Sequence, residues 1–304
     1  MKVSIIGAGR NRNGIGKYIA NYFQKNGATV VSVIGTTEKT ACSSSAALRQ
    51  YGISAASYTD FYKMVEKERP ALVAIASPSS THYEYLLKCI EAGVHIFCEK
   101  PFIWDENRNM QQMLENIFSR AENKNIKVAM NCQWPFTLPY YEELCGTIDK
   151  QKTDSFVMEL SPICGEKEML LDSIPHALSL LFSVFGKGEI NGPGVDLHSE
   201  KATIKFEYLS GTNVCKVLIR LTRKEQQPRD LSFGFNNKIV QRRLDLKKYA
   251  VSFTFANRTL NIADPLELSV RDFISAVSKQ QEPRIGREYI MNNTILLKQI
   301  YDSC

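Results

Sequence analysis

The sequence predicts an α/β protein with a doubly wound parallel sheet first and a second α/β domain on a mainly antiparallel sheet. Three observations predict it. Up to residue 131, short apolar runs alternate with helical patterns, as βαβ units do. The runs are nearly continuous, as in Leu72-Val-Ala-Ile-Ala76, which suits strands covered on both faces. Later the period drops to two in Ala202-Thr-Ile-Lys-Phe-Glu-Tyr208, Cys215-Lys-Val-Leu-Ile-Arg-Leu221 and Val251-Ser-Phe-Thr-Phe255. That alternation suits antiparallel strands with one face on a core.

Taken in order, the first six strands are expected at Val3 to Ile6, Thr29 to Ile34, near Ile53, Leu72 to Ala76, His95 to Cys98 and Lys127 to Asn131. Helical spacing fills the gaps at Ile15 to Lys25, Thr40 to Tyr51, Asp60 to Lys67, Thr81 to Ala92 and Glu106 to Asn123. The second domain adds a strand at Asp154 to Leu160 and a hairpin turn at Leu209-Ser-Gly-Thr-Asn213. One helix is expected from Pro175 to Phe185, since proline is tolerated in a first helical turn. In the tail, Leu266, Val270, Phe273 and Val277 mark one helical face, and Ile290, Thr294, Leu297 and Tyr301 mark another. The expected domains are residues 1–131 and 132–304.

At 304 residues, with 44% hydrophobic and 23% charged side chains, the chain has the length and composition of a two-domain globular protein. Its net charge of +6 is scattered apart from Arg242-Arg243 and Lys247-Lys248, which argues against a nucleic-acid surface and leaves a field suited to a phosphorylated ligand. No basic, apolar leader precedes the first strand, and no apolar run approaches the roughly 18 residues of a membrane span. Eight cysteines lack C-x-x-C pairs and ligand spacing. Reduced buried thiols, a cytoplasmic location and no metal are the expectation.

Gly7-Ala-Gly9-Arg10-Asn11-Arg12-Asn13-Gly14-Ile15-Gly16 follows the first strand and opens a helix. Glycines there allow a tight turn and close backbone approach, and the helix N-terminus faces an anion. This is the setting of a dinucleotide pyrophosphate in a Rossmann domain. The second strand ends at Gly35-Thr36-Thr37, where an acid would bind a ribose 2′-hydroxyl. Without that acid, Thr36, Thr37, Lys39, Arg10 or Arg12 suit a 2′-phosphate, so NADP is favoured over NAD; Glu38 swinging in is the alternative. Gly14-Ile15-Gly16 also fits short-chain dehydrogenases, but none of the 13 tyrosines has a lysine four residues later, as that chemistry needs.

Three further motifs occur in order: Ser77-Pro78-Ser-Ser-Thr-His82, Glu99-Lys100-Pro101 and Asp172-Ser-Ile-Pro-His176. With the glycine loop and the Asp264-Pro-Leu-x-x-x-Val270-x-x-Phe273 segment, they resemble the Gfo/Idh/MocA oxidoreductases over nearly the whole chain. The resemblance implies a Rossmann domain, an α/β domain with an open, mainly antiparallel sheet, and pairing through that sheet into homodimers or homotetramers. It implies that Lys100 binds the reacting oxygen, that His176 is the acid or base and that Asp172 binds substrate or orients the ring. Lys100, Gln133, Trp134, Asp172 and His176 would contact substrate. Ser77, Pro78, His82, Glu99 and Lys100 would lie beside the cofactor.

The chemistry is coherent, because removing hydride from an alcohol carbon also requires removing the hydroxyl proton. A neutral imidazole accepts it while an ammonium stabilises the developing oxyanion. His176, placed just after Pro175, is expected close to a helix N-terminus, whose dipole favours the neutral base. The plain alternatives are an N-cap for Asp172 or Ser173, a half-buried structural histidine and a solvated turn lysine. The family's usual glycines around the aspartate are absent, Ser179 replaces a frequent acid, and Gln133-Trp134-Pro135-Phe136 replaces an arginine-containing segment. With Met169 these imply a less polar pocket. The leading expectation is an NAD(P)-dependent enzyme acting on a sugar, sugar derivative or cyclic polyol. A reductase of a C=N or conjugated bond, and a dinucleotide-binding sensor without turnover, are the competing readings; separate replacement of Lys100 and His176 distinguishes them.

Overall fold

The computed structural model describes residues 1–9, 14–247 and 250–304. They fold into two compact units, Met1–Asn131 with Leu266–Ile290, and Cys132–Pro265 with Met291–Cys304. The expected 132–304 span is therefore interrupted by a segment that belongs with the first unit.

In that unit, strands β1 (Lys2–Ile6), β2 (Thr29–Ile34), β3 (Ala56–Tyr58), β4 (Leu72–Ile75), β5 (His95–Glu99) and β6 (Val128–Asn131) alternate with helices α1 (Gly16–Lys25), α2 (Glu38–Leu48), α3 (Phe61–Glu68), α4 (His82–Ala92) and α5 (Met110–Asn123). All pairings are parallel, in the order β3-β2-β1-β4-β5-β6. The order reverses between β1 and β4, so a crevice opens at the carboxyl ends of those strands. β4 is wholly buried, as its unbroken apolar run requires. The third strand lies a few residues beyond Ile53. Ile53 is buried beside it, whereas β3 is a short, largely exposed edge. The fifth helix starts at Met110, capped by Asn109 through Gln112 N at 3.0 Å, and not at Glu106.

The second unit holds α6 (Leu138–Cys145), β7 (Ser155–Leu160), α7 (Glu168–Phe185), β8 (Glu189–Leu197), β9 (Lys201–Ser210), β10 (Asn213–Thr222), β11 (Leu231–Phe235), β12 (Lys238–Asp245), β13 (Ala250–Phe255) and β14 (Arg258–Ile262). The sheet order is β14-β13-β12-β11-β7-β10-β9-β8, antiparallel except for the β7–β10 pair. One face carries α6 and α7. The predicted hairpin joins β9 and β10 through Gly211, whose φ of +58° suits glycine.

Helix α8 (Pro265–Lys279) sends Leu266, Val270, Phe273 and Val277 into the core formed by Val3, Ile5, Phe23 and Phe97, which places the tail with the first sheet. Phe273 meets Phe97 at 5.5 Å between ring centroids. Helix α9 (Arg287–Asp302) closes the chain.

α7 departs most from expectation. It begins seven residues before Pro175, so the proline is interior. Proline there removes one backbone hydrogen bond. Burial of Met169, Leu170, Ile174, Ala177 and Leu178 offsets that loss. At 18 residues α7 is the one described helix long and apolar enough to cross a membrane, but Glu168, Asp172 and His176 interrupt its apolar run and 61% of it is buried within the protein, as in a core helix.

Candidate active site

The first unit gathers its polar residues at the carboxyl ends of the parallel strands. β1 ends at Ile6, and Gly7 turns the chain with φ of +86°. A Cβ on Gly7 would meet the Ala76 carbonyl and the Ser77 nitrogen at 2.6 Å. One on Gly9 would collide with Ser44 Oγ, and one on Gly16 would lie 2.9 Å from Ala8 Cα. These glycines let the first loop pass against β4 and α2 while keeping α1 close to β1. Gly14 and Ile15 lead into α1, and Ile15 at its N-cap makes no side-chain hydrogen bond to the first turn. Arg10, Asn11 and Arg12 lie outside the described residues.

At the end of β2, Thr37 is the N-cap of α2: its hydroxyl accepts from Thr40 N at 3.2 Å while Thr40 Oγ1 accepts from Thr37 N at 2.9 Å. Thr36 and Lys39 are exposed beside it, and no acid ends the strand.

The loop after β4 and the turn after β5 are tied together by His82. Its Nε2 lies 3.0 Å from the Ser77 carbonyl, and its Nδ1 lies 3.0 Å from the Pro101 carbonyl and 3.2 Å from that of Phe102. The ring is only 1% exposed. Thr81 Oγ1 donates to Ser77 Oγ at 2.7 Å and Pro78 stands exposed at the loop's outer side. The buried carboxylate of Glu99 precedes Lys100, which is half-buried and followed by a cis peptide to Pro101. Two neighbouring thiols, Cys89 and Cys98, are pushed well up by burial and stay protonated.

A side chain that sequence pattern does not single out completes this edge. Asn131 ends β6 opposite Glu99, and its Nδ2 donates to the Glu99 carboxylate. The available signal was a polar residue closing an apolar strand, as Glu99 closes β5.

The second unit assembles another set on α7. Asp172 and His176 are four residues apart on one helix face, where neighbouring Cβ atoms are about 5–6 Å apart. Both lie in the helix body, so Asp172 is not a cap, Ser173 is not one either, and His176 is not near the helix N-terminus. The dipole therefore does not set the state of its ring, because that effect fades within the first turn. The backbone around Pro175 is pinned: its carbonyl accepts from Asn293 Nδ2 at 2.9 Å and from Cys132 Sγ at 3.7 Å. Trp134, 3% exposed, meets the His176 ring edge-on at 6.4 Å. The guanidinium of Arg242 lies 5.8 Å from the Trp134 ring centroid. Arg242 stands between the inward-facing Val240 and Leu244 of β12, a polar break in an apolar alternation. Gln133 precedes Trp134 with its Oε1 buried.

The glycine cradle, the uncapped helix and the polar strand ends fit a dinucleotide. Gly7→Ala is expected to weaken dinucleotide binding at least tenfold and to lower the melting temperature, because its φ and its 2.6 Å neighbours both exclude a side chain. Titration calorimetry and thermal unfolding check both effects.

Residues 1–131 match the family model for Gfo/Idh/MocA, described as an oxidoreductase family with an NAD-binding Rossmann fold. Curated relatives include the D-glucoside 3-dehydrogenase of Escherichia coli K12, 33% identical over 101 residues, which is 33% of this chain and 27% of that protein. The inositol 2-dehydrogenase of Salmonella typhimurium is 26% identical over 123 residues, 36% of this chain and 37% of that protein. The matched segment thus spans well under half of either relative. Among solved structures, the UDP-N-acetylglucosamine 3-dehydrogenase GnnA of Acidithiobacillus ferrooxidans has the same fold, with a TM-score of 0.74 and 16% identity over 100% of this chain and 97% of that one.

Proposed function

We propose that the chain, whose first 131 residues match the Gfo/Idh/MocA oxidoreductase family, transfers a hydride between NAD(P) and a hydroxyl or carbonyl carbon of a sugar, sugar derivative or cyclic polyol. The observation that carries this reading is the junction at the strand ends of the first unit. There His82 bridges the Ser77 loop to the turn of Lys100, beside the Glu99–Asn131 pair. Relatives named as glucoside and inositol dehydrogenases support the substrate class.

In this reading the bound nicotinamide supplies the hydride acceptor or donor. The loop from Gly7 to Gly16 holds the pyrophosphate. Lys100 binds the reacting oxygen and stabilises negative charge as it grows there. His176 takes the hydroxyl proton as the carbon loses hydride, and returns it in the reverse direction. Asp172 orients the imidazole or holds an adjacent hydroxyl, and Gln133 and Trp134 line the substrate. NADP is preferred over NAD because Thr36 and Lys39 stand where an acid would select a 2′-hydroxyl. The protein works as a homodimer or homotetramer through the face of the second sheet opposite α6 and α7. A cytoplasmic setting is the reading that the burial of Cys89, Cys98, Cys132, Cys145 and Cys215 suits.

The test is a turnover screen over sugars, sugar phosphates, nucleotide sugars and inositols, run with NADP and NAD in parallel and read by nicotinamide absorbance. The expected result is oxidation of at least one carbinol, with a higher kcat/KM for NADP. A strong NAD preference overturns the reading of Thr36 and Lys39 alone. Failure with every candidate overturns the enzymatic reading.

A further inference from the structure

We propose that Asn131 recognises the carboxamide of the nicotinamide, its side-chain oxygen accepting a carboxamide N–H. The inference rests on the dinucleotide reading above and adds to it the group that orients the ring. Asn131 and Glu99 are register partners in adjacent parallel strands, so their side chains leave the sheet on the same face. Both are buried, at 3% and 8% exposure. Asn131 Nδ2 donates to the Glu99 carboxylate, and this fixes the orientation of the amide. Turned over, the amide would set its oxygen against a carboxylate oxygen.

The consequence is a buried acceptor, Asn131 Oδ1, with no hydrogen-bond partner among the described residues. A buried carbonyl left in that state is destabilising, and native proteins keep few of them outside sites that receive a ligand. Its position identifies the donor. A doubly wound sheet binds one mononucleotide over each half, and the glycine loop after β1 marks the pyrophosphate between them. β4, β5 and β6 form the half opposite β2 and β3, so the nicotinamide end reaches β5 and β6 when the adenosine end lies over β2. The nicotinamide presents one amide N–H pair there, complementary to a lone amide oxygen. The recognition element is also rigid. The edge of β6 is held by Met130 N donating to Ile285 O at 3.1 Å, and the turn after Glu99 is held by His82.

The experiment compares equilibrium binding of the natural oxidised dinucleotide with its 3-acetylpyridine analogue, which keeps the carbonyl and lacks the N–H. Wild-type protein is expected to bind the natural form about 10- to 100-fold more tightly, the effect of leaving one buried acceptor unsatisfied. In Asn131→Leu and Asn131→Ala the ratio is expected to fall to within about threefold, both variants being checked by thermal unfolding. Equal binding of the two dinucleotides by the wild type overturns the proposal without any variant. So does a ratio that survives in either variant. If neither dinucleotide binds the wild type, the dinucleotide reading itself fails, an outcome distinct from equal binding.

Discussion

Replacing Lys100 by methionine is expected to lower kcat by about 10²- to 10³-fold, the usual loss on removing one charged group that stabilises a developing oxyanion. Methionine keeps the length and apolar bulk of the stem and removes the ammonium, so the change isolates charge from packing. The turn itself should survive. It is held through the carbonyls of Pro101 and Phe102 by His82, and neither contact uses the Lys100 side chain. Dinucleotide affinity should therefore stay within a few-fold of wild type while turnover collapses. Steady-state kinetics beside equilibrium binding separate the two. A solvated turn lysine predicts unchanged kcat, and a sensor without turnover predicts indifference to the substitution.

His176→Asn is expected to lower kcat by about 10²- to 10⁴-fold and to change the shape of the pH profile. For alcohol oxidation the active form is the neutral imidazole. Wild-type kcat/KM should fall as pH drops and the ring becomes protonated, about tenfold per pH unit on that limb. In the variant that limb should vanish, leaving a lower and flatter profile. In the reduction direction the protonated ring is the active form, so the wild-type limb runs the other way. The fold should tolerate the change. α7 is pinned at Pro175 O by Asn293 and Cys132, and the Ser179 hydroxyl donates to the His176 carbonyl at 2.5 Å, all independent of the ring. A reductase of a C=N or conjugated bond would lose activity in one of the two variants and retain it in the other.

Much of the first unit was legible in the sequence because its physics is local. An unbroken apolar run such as Leu72 to Ile75 has nowhere to go but a doubly covered strand, and glycines between β1 and α1 have a steric reason to be there. β3 was displaced because an exposed three-residue edge strand carries almost no apolar signal. The second sheet was half legible. β9, β10 and β13 alternate cleanly, whereas β8 carries Gly192 and Gly194 at a register shift and β11 contains a buried Gly234. The glycines break the period of β8, and β11 alternates Leu231, Phe233 and Phe235 over only five residues, too short a run to stand out. The helix around His176 was misread at its start because Pro175 looks like a boundary locally, and only burial of Met169 and Leu170 shows that it is not. The grouping of Leu266–Ile290 with the first sheet is a tertiary fact that chain order hides.

The candidate site divides in the same way. Glycines and Glu99-Lys100-Pro101 stand at strand ends, where one position in sequence implies one place in the fold. Asn131 takes its meaning from its register with Glu99, and Arg242 from its approach to Trp134. Such partnerships depend on residues far apart in sequence, and no spacing rule encodes them.

Hydride transfer moves a carbon-bound hydrogen onto the nicotinamide, and isotopic labelling follows that atom. Wild-type protein is mixed with oxidised NADP or NAD and with candidate sugars and cyclic polyols deuterated at their carbinol carbons, and the reduced dinucleotide is examined by mass spectrometry. Deuterium is expected on the nicotinamide with at least one substrate, and about 10²- to 10³-fold less of it at early times when Lys100→Met is used at the same protein concentration. Tight dinucleotide binding without label from any candidate, and without reduction of the matching ketones, would contradict it.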